Sequence, residues 1–227
     1  MASIESRRNR NLASLFRHFK GKSYRYVGTA KHSETLDDFV VYEALYDNPA
    51  GKLWIRPKAM FDESIERDGV SIRRFAPVPV AIEIVDVRSQ EFMPKLRQIA
   101  GLCASIFPSR TIEVLESRIA RQDRAMLVMA FIDRSVVGFK LGHAEDRDTF
   151  YSWLGGVETD YRGLGIASAL LVAQHSWCKE QLFKRIKTQV RNSYREMIGL
   201  NLKSGFDIIG CYLDKRREPK VILEKRI

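Results

Sequence analysis

Cysteine is scarce: the 227-residue chain has three, Cys103, Cys178 and Cys211. The number is odd, and none sits in a Cys-x-x-Cys pair or at ligand spacing from a histidine. That excludes a disulfide framework or a zinc site as the organising device, so no metal is expected. A reducing, cytoplasmic setting follows. No apolar run approaches the ~18 residues of a membrane span, and "MASIESRRNRNLASLF" lacks the apolar centre of a secretory signal, so no membrane association is expected. Also missing are internal repeats, low-complexity segments, RRM or KH motifs, and the Gly-Lys-Ser/Thr ending of a Walker loop. Acidic side chains are in deficit, 28 against 38 basic ones, for a net charge of +10. Such a balance favours an anionic cofactor, an acidic partner surface or nucleic acid.

What is present centres on "VETDYRGLGIASALL", Val157 to Leu171. The preceding "TFYSWLGGV" alternates as a strand, and Gly155-Gly156 predicts a bulge or splay near its end. After it, Ile166, Leu170, Ala173 and Trp177 recur at helical spacing, with Ser168, His175 and Lys179 off that stripe. The junction is a strand, a glycine loop and a helix start. Unpaired N–H groups and a partial positive charge at such a start attract phosphate, although glycines alone serve equally as a turn before a core helix. A dinucleotide fingerprint does not fit, because Ser168 stands where it needs Gly or Ala and Phe183 where it needs an acid.

Arg162-x-x-Gly165-x-Ala167 resembles the pyrophosphate loop of the GNAT superfamily, the acyl-CoA-dependent N-acyltransferases. The following order agrees: strand "RIKTQV", helix "NSYREMIGLNLKSGF" stopped by Gly205, then strands "DIIGCYL" and "KVILEKRI" around the turn "DKRREP". Upstream, "VAIEIVDV" reads as a strand. A helix follows from Pro94 with Leu96, Ile99, Cys103 and Ile106 on one face, then another capped by Thr111. "AMLVMAFI" and "SVVGFKLGHAE" form a hairpin around Asp133-Arg134.

The resemblance implies an α+β fold, a mixed and mostly antiparallel sheet with helices on both faces. It also implies acetyl-CoA as co-substrate and a primary amine as acceptor, attacked directly in a ternary complex. The backbone at Val157 and Thr159 would hold the pantetheine. Arg162, Gly163, Leu164, Gly165, Ile166 and Ala167 would cradle the pyrophosphate, and Asn192 would bond the CoA arm or cap the next helix. Many relatives carry a tyrosine acid where this chain has Asn201, and some a glutamate base near Gln189. Tyr194, placed on the same helix face as Asn201, and Tyr212 are then the candidate acids, and Glu158 the candidate base or merely a strand-end charge.

The front region, "FRHFKGKSYRYVGTAKHSETLDDFVVYEALY" with "LWIRPKAMF", resembles a small bacterial domain family of unknown function marked by His-Phe-Lys-Gly, Ser-Glu-Thr and Trp-x-Arg-Pro. Its alternation predicts a small β-barrel or roll. Ser33, Glu34 and Thr35 serve as ligand readers or as turn residues. The prolines of "FAPVPV" mark a linker. The expected organisation is a basic tail over 1–14, with Arg7, Arg8 and Arg10, a mainly-β domain over 15–77 and a GNAT domain over 78–227. A CoA-binding regulator without turnover, and a nucleic-acid or ribosome-associated module, are the competing functions.

Overall fold

The computed structural model describes residues 14–227, so Arg7, Arg8 and Arg10 lie outside the described residues. The first of two compact units ends at Val80, and the second holds Ala81–Arg162 and Ile166–Ile227, with the turn Gly163–Gly165 joining those two segments along the chain.

Alternation builds the first unit. In β3 (Asp38–Ala44) Val40, Tyr42 and Ala44 are buried and the residues between them are not. β3 pairs with β2 (Ser23–Lys31) and β4 (Leu53–Pro57), β2 with β1 (Leu15–His18), and β1 with β7 (Phe75–Pro77). The five strands are antiparallel in the order β4-β3-β2-β1-β7; of the small β-barrel or roll expected, the strand order does not close into a barrel. A short helix, α1 (Lys58–Asp62), supplies Phe61, and β5 (Ser64–Arg67) with β6 (Val70–Arg73) makes a separate hairpin. Large rings carry the core: Phe61 stacks on Phe75 at 4.3 Å, with Tyr42 at 5.7 Å from Phe61. The Ser-Glu-Thr stretch is a turn. His32 Nδ1 accepts the N–H of Thr35 at 3.2 Å, and Thr35 Oγ1 donates to Asp37 at 2.7 Å.

The second unit is a seven-stranded sheet flanked by helices. Its strands are β8 (Ala81–Asp86), β9 (Ala125–Ile132), β10 (Ser135–Ala144), β11 (Thr149–Val157), β12 (Arg185–Arg191), β13 (Asp207–Leu213) and β14 (Pro219–Arg226), in the order β13-β14-β12-β11-β10-β9-β8. Only β11 and β12 run parallel. Asp133 and Arg134, both with φ positive at 48° and 67°, make the tight β9–β10 hairpin. The first expected helix is two, α2 (Phe92–Gln98) and α3 (Ala100–Ile106), divided at Ile99. With α4 (Ile112–Ile119) they cover one sheet face, burying Leu96, Ile99, Cys103 and Leu115 against Leu127, Phe139 and Leu141.

The opposite face belongs to α5 (Ile166–Glu180): a Cβ on Gly138 would meet Ile166 and Leu170 at 3.2 Å, and Trp177 lies edge-on to Phe150 at 5.5 Å. His175, expected off the buried stripe, is 9% exposed, its Nδ1 is 3.3 Å from Lys225 Nζ and its ring lies 5.6 Å from Phe206. Phe206, just past the second helix after the loop, α6 (Arg195–Lys203), and Lys225 of β14 are its neighbours, and periodicity alone does not reveal them. Of the bulge or splay expected near the end of β11, the bulge sits elsewhere, while the strand does part from β12 after Tyr151. Gly155 and Gly156 pair regularly with Lys140 and Phe139, whereas the register slips between Leu141 and Gly142, opposite Trp153. Because the slip shifts the alternation, Gly155 lies over Lys140 while Gly156 lies over Ile106.

All three cysteines are free, and among the described residues no group of three metal-ligating side chains occurs. No helix among them is long and apolar enough to cross a membrane.

Two outcomes are expected. A fragment from Val80 to Ile227 folds cooperatively, checked by thermal circular dichroism; a non-cooperative melt would show that the second core is incomplete alone. Lys140 is buried, and burial lowers its ammonium to about 8. Lys140→Met therefore raises stability at pH 7 by about 1–3 kcal/mol. Since the folded lysine loses its proton near pH 8 and the unfolded one near ~10.4, that advantage is full below 8 and fades as pH rises between the two. Denaturant melts at pH 7 and pH 10 check this, and an advantage unchanged with pH would refute it.

Candidate active site

β11 and β12 share only three parallel pairs, Thr149–Arg185, Phe150–Ile186 and Tyr151–Lys187. Past Tyr151 they part. At the fork the hydroxyl of Thr188 donates to the carbonyl of Ser152 at 2.9 Å, a side-chain bond where the next strand bond would stand. Beyond it, β11 keeps β10 on one side to Val157 but has no strand on the other. The result is an edge of backbone donors and acceptors inside the sheet, which suits an extended chain lying as a short added strand.

The edge leads into the glycine loop. Glu158 N–H donates to Val137 O at 2.9 Å, Thr159–Tyr161 form one 3₁₀ turn, and Arg162 Nε donates to Val157 O at 3.1 Å. The Val157 carbonyl is thus already engaged. Gly163 and Gly165 hold φ at +76° and +79°, the left-handed region where a side chain is strained. The turn delivers the chain into α5, whose first N–H groups at Ile166 and Ala167 have no intrahelical acceptor. These donors, with the positive end of the helix dipole, fit an anionic diphosphate. Arg162 and Thr159 are exposed there, while Leu164 and Ile166 are buried and anchor the turn.

Asn192 is exposed and its N–H donates to Pro219 O at 2.9 Å; Tyr194, not Asn192, is the residue before α6. Asn192 therefore does not cap this helix. Together with Arg191, Ser193, Arg195, Glu218 and Pro219 it lines a shallow hollow of about 260 Å³. Tyr194 is likewise not on the helix face where Asn201 sits, since it precedes the helix with φ −90° and ψ 61° and is 45% exposed. Asn201 is 2% exposed and its Nδ2 donates to Met197 O at 2.9 Å within its own helix. The helix closes as foreseen: Phe206 N–H reaches Asn201 O at 3.1 Å, Gly205 N–H reaches Leu202 O at 3.0 Å, and Gly205 has φ +86°.

Tyr212 and Gln189 do come together. The phenol donates to Gln189 Oε1 at 2.6 Å, over the intervening strand β14. Nearby, on the face toward α4, lies a group that sequence reading missed. His143 and Tyr151 are register partners with ring centroids 5.7 Å apart, and Trp153 is 6.3 Å from His143. Arg118 Nε donates to His143 Nε2 at 3.1 Å, and Arg118 and Arg110 lie over the Trp153 ring at 5.4 and 5.6 Å. His143 Nδ1 donates to Ala144 O at 2.8 Å. Burial, with Arg118 adding to it, holds the imidazole pKa below its usual value. Burial raises the Tyr151 phenol, and the neighbouring Tyr212 adds to that. Alternation within "KLGHAE" and "TFYSWL" would place His143, Tyr151 and Trp153 together, given the hairpin register. Glu158 stays apart from them in bonding, exposed at the end of β11.

Comparison with known protein families covers the segment that holds this edge and turn. The model described as "Acetyltransferase (GNAT) family" matches residues 93–206, half of the chain. The chain belongs to the GNAT acetyltransferase family. The model described as "Protein of unknown function (DUF1653)" matches residues 14–77, the first unit. No protein with a curated description matches the sequence. Among solved structures the GNAT domain is similar to Ard1 from Thermoplasma volcanium, at 21% identity and TM-score 0.56, over 65% of this chain and 98% of that one. It is similar to IAA acetyltransferase from Bacillus cereus ATCC 14579, at 18% and 0.54, over 65% and 99%. It is also similar to ribosomal-protein-S18-alanine N-acetyltransferase from Escherichia coli, at 18% and 0.53, over 65% and 94%. At these identities the likeness is one of fold.

Gly165 and Gly205, two of the positive-φ glycines of the GNAT domain, separate strain from binding. Gly165→Ala and Gly205→Ala should each lose about 1–2 kcal/mol of stability, because each forces a side chain into the left-handed region. Only Gly165→Ala should also weaken acetyl-CoA binding, by about tenfold or more. Calorimetry on both variants decides, and equal affinity in the two would remove the loop from the site.

Proposed function

We propose that the protein transfers an acetyl group from acetyl-CoA to a primary amine by direct attack in a ternary complex. The observation that carries this reading is the open inner edge of β11 running into a positive-φ glycine turn at a helix start. Bound acetyl-CoA would supply the thioester acyl group. The N–H groups of Gly163 to Ala167 bind its diphosphate, and the backbone from Trp153 to Thr159 orients the arm and polarises the carbonyl. Arg162 fixes the end of that edge through Val157 O.

Protons remain to be moved. Tyr212 is the phenol best placed to protonate the departing thiolate: it shares a sheet face with Tyr151 and Gln189, and releasing its bond to Gln189 costs about 1 kcal/mol. Asn201 has no ionisable proton and is turned into its own helix, and Tyr194 stands outside it. Glu158, exposed at the end of β11, draws the proton from the amine directly or through water. The face formed by His143, Tyr151 and Trp153 receives the acceptor, and Arg110 and Arg118 favour one bearing negative charge near its amine. The similar Escherichia coli structure is named for acetylating an alanine amine of a ribosomal protein, which supports an amine acceptor here. The second reading is a CoA-binding protein without turnover, favoured because Asn201 and Gln189 are neutral where relatives place an acid and a base.

A thiol-release assay with acetyl-CoA and a panel of acidic, neutral and basic amines separates the two. Turnover above the hydrolysis rate supports transfer; tight acetyl-CoA binding with no release for any amine supports the second reading. With an acceptor in hand, Tyr212→Phe and Glu158→Gln should each lower kcat by about 10²-fold at unchanged acetyl-CoA affinity. Tyr194→Phe should leave it unchanged. Full rates in the first two variants would leave catalysis to positioning and solvent.

A further inference from the structure

The first unit contains a concentration of hydrogen-bond donors that packing does not require. Along β4 the inward positions are Trp54 and Arg56, and the strand partner of Arg56 is the buried Val40. An arginine is thus directed to the core side of a sheet. Its Nε donates to the hydroxyl of Tyr42 at a long 3.4 Å, and its guanidinium lies over the Phe75 ring at 5.8 Å. Among the described residues no carboxylate pairs with it. A half-buried guanidinium ordinarily has such a partner, because desolvating the charge is costly.

His18 converges on the same ring, 4.8 Å from Phe75. Its Nδ1 accepts the N–H of Lys20 at 3.4 Å, which leaves the hydrogen of the neutral ring on Nε2, directed at no acceptor among the described residues. Burial and then the charges of Arg56, Arg74 and Lys20 hold its pKa below the usual value. Arg74 is balanced by Glu63, so Arg56 and Lys20 are the uncompensated charges. Tyr24, 5.6 Å from Phe75, shares one hydrogen bond of 2.8 Å with Tyr46. Two hydroxyls joined by one bond leave one O–H free to donate.

We propose that the inner face of β4 carries an anion-binding site, in which Arg56 and His18, with the Tyr24–Tyr46 hydroxyl pair, hold the phosphate or carboxylate group of a small ligand. Each of these groups offers a proton and none a negative charge, which is what an anionic oxygen needs, and Arg56 presents a fork that matches two oxygens. The two fragments of the unit's sequence pattern that contribute are His-Phe-Lys-Gly, through His18, and Trp-x-Arg-Pro, through Arg56. Ser-Glu-Thr, folded into its own turn with His32, takes no part.

The test uses the full chain with ring-labelled histidines, the His18 resonance being identified by its loss in His18→Gln. Inorganic phosphate and sodium acetate are titrated against sodium chloride at equal ionic strength. Phosphate also suits the glycine loop, so the readout is confined to His18. A saturable shift of His18 with phosphate or acetate, absent with chloride, is expected, and whichever anion binds more tightly identifies the group. Arg56→Gln should weaken that binding by about tenfold or more, and Arg56→Lys, which keeps the charge without the fork, by less. Melting curves check that the variants fold, and the lysine variant carries the test if the glutamine one does not. If neither anion moves His18 more than chloride does, or if both Arg56 variants bind as the parent, Arg56 is a packing residue and the proposal is overturned.

Discussion

The separation of two parallel strands after three residue pairs governs the second unit. A parallel pair that continued past Tyr151 would satisfy the β11 backbone within the sheet and leave nothing for a ligand. Thr188 prevents the fork from closing further by spending its hydroxyl on Ser152 O, so the first unpaired carbonyl is satisfied without a strand. The edge that remains is protected from neighbouring chains because it lies between β11 and β12 rather than at the rim of the sheet. Its direction then fixes where the glycine turn and the start of α5 must stand.

The two faces of the sheet serve different ends. On one, α5 buries an almost continuous apolar surface but also encloses Lys140, Gln174 and Ser152, and the last two each leave one polar oxygen without a hydrogen-bond partner among the described residues. On the other, the strands present the rings of Tyr151 and Trp153, and α4 and the loop before it lay the guanidiniums of Arg118 and Arg110 over Trp153. The slip at Trp153 is what lets one strand do both, because it changes which residues face each side between the fork and the loop. The first unit repeats the theme on a smaller scale, placing an arginine among rings where an aliphatic side chain would have packed as well.

Periodicity and punctuation were enough to locate the strands and helices of the second unit. Gly205 stops α6 because only a residue tolerant of positive φ lets Phe206 N–H turn back to Asn201 O, and the Asp133-Arg134 pair fits a two-residue hairpin. The turn ahead of α5 was legible for the same reason: positive φ at Gly163 and Gly165 calls for glycine. Side-chain constellations are written less plainly. His143, Tyr151 and Trp153 look like ordinary strand residues until the β10–β11 register sets them side by side.

What the sequence determined by itself was local: element order, the glycine loop and the stop of α6, each set by backbone preferences that act over a few residues. Tertiary structure decided the rest. It moved the expected bulge from Gly155-Gly156 to Trp153, buried His175 beneath a neighbour, left Tyr194 ahead of its helix and turned Asn201 inward, while joining Tyr212 to Gln189 over an intervening strand. Those outcomes depend on which strand lies beside which and in what register. That is a balance of long-range packing and pairing, and no short window of sequence contains both sides of it.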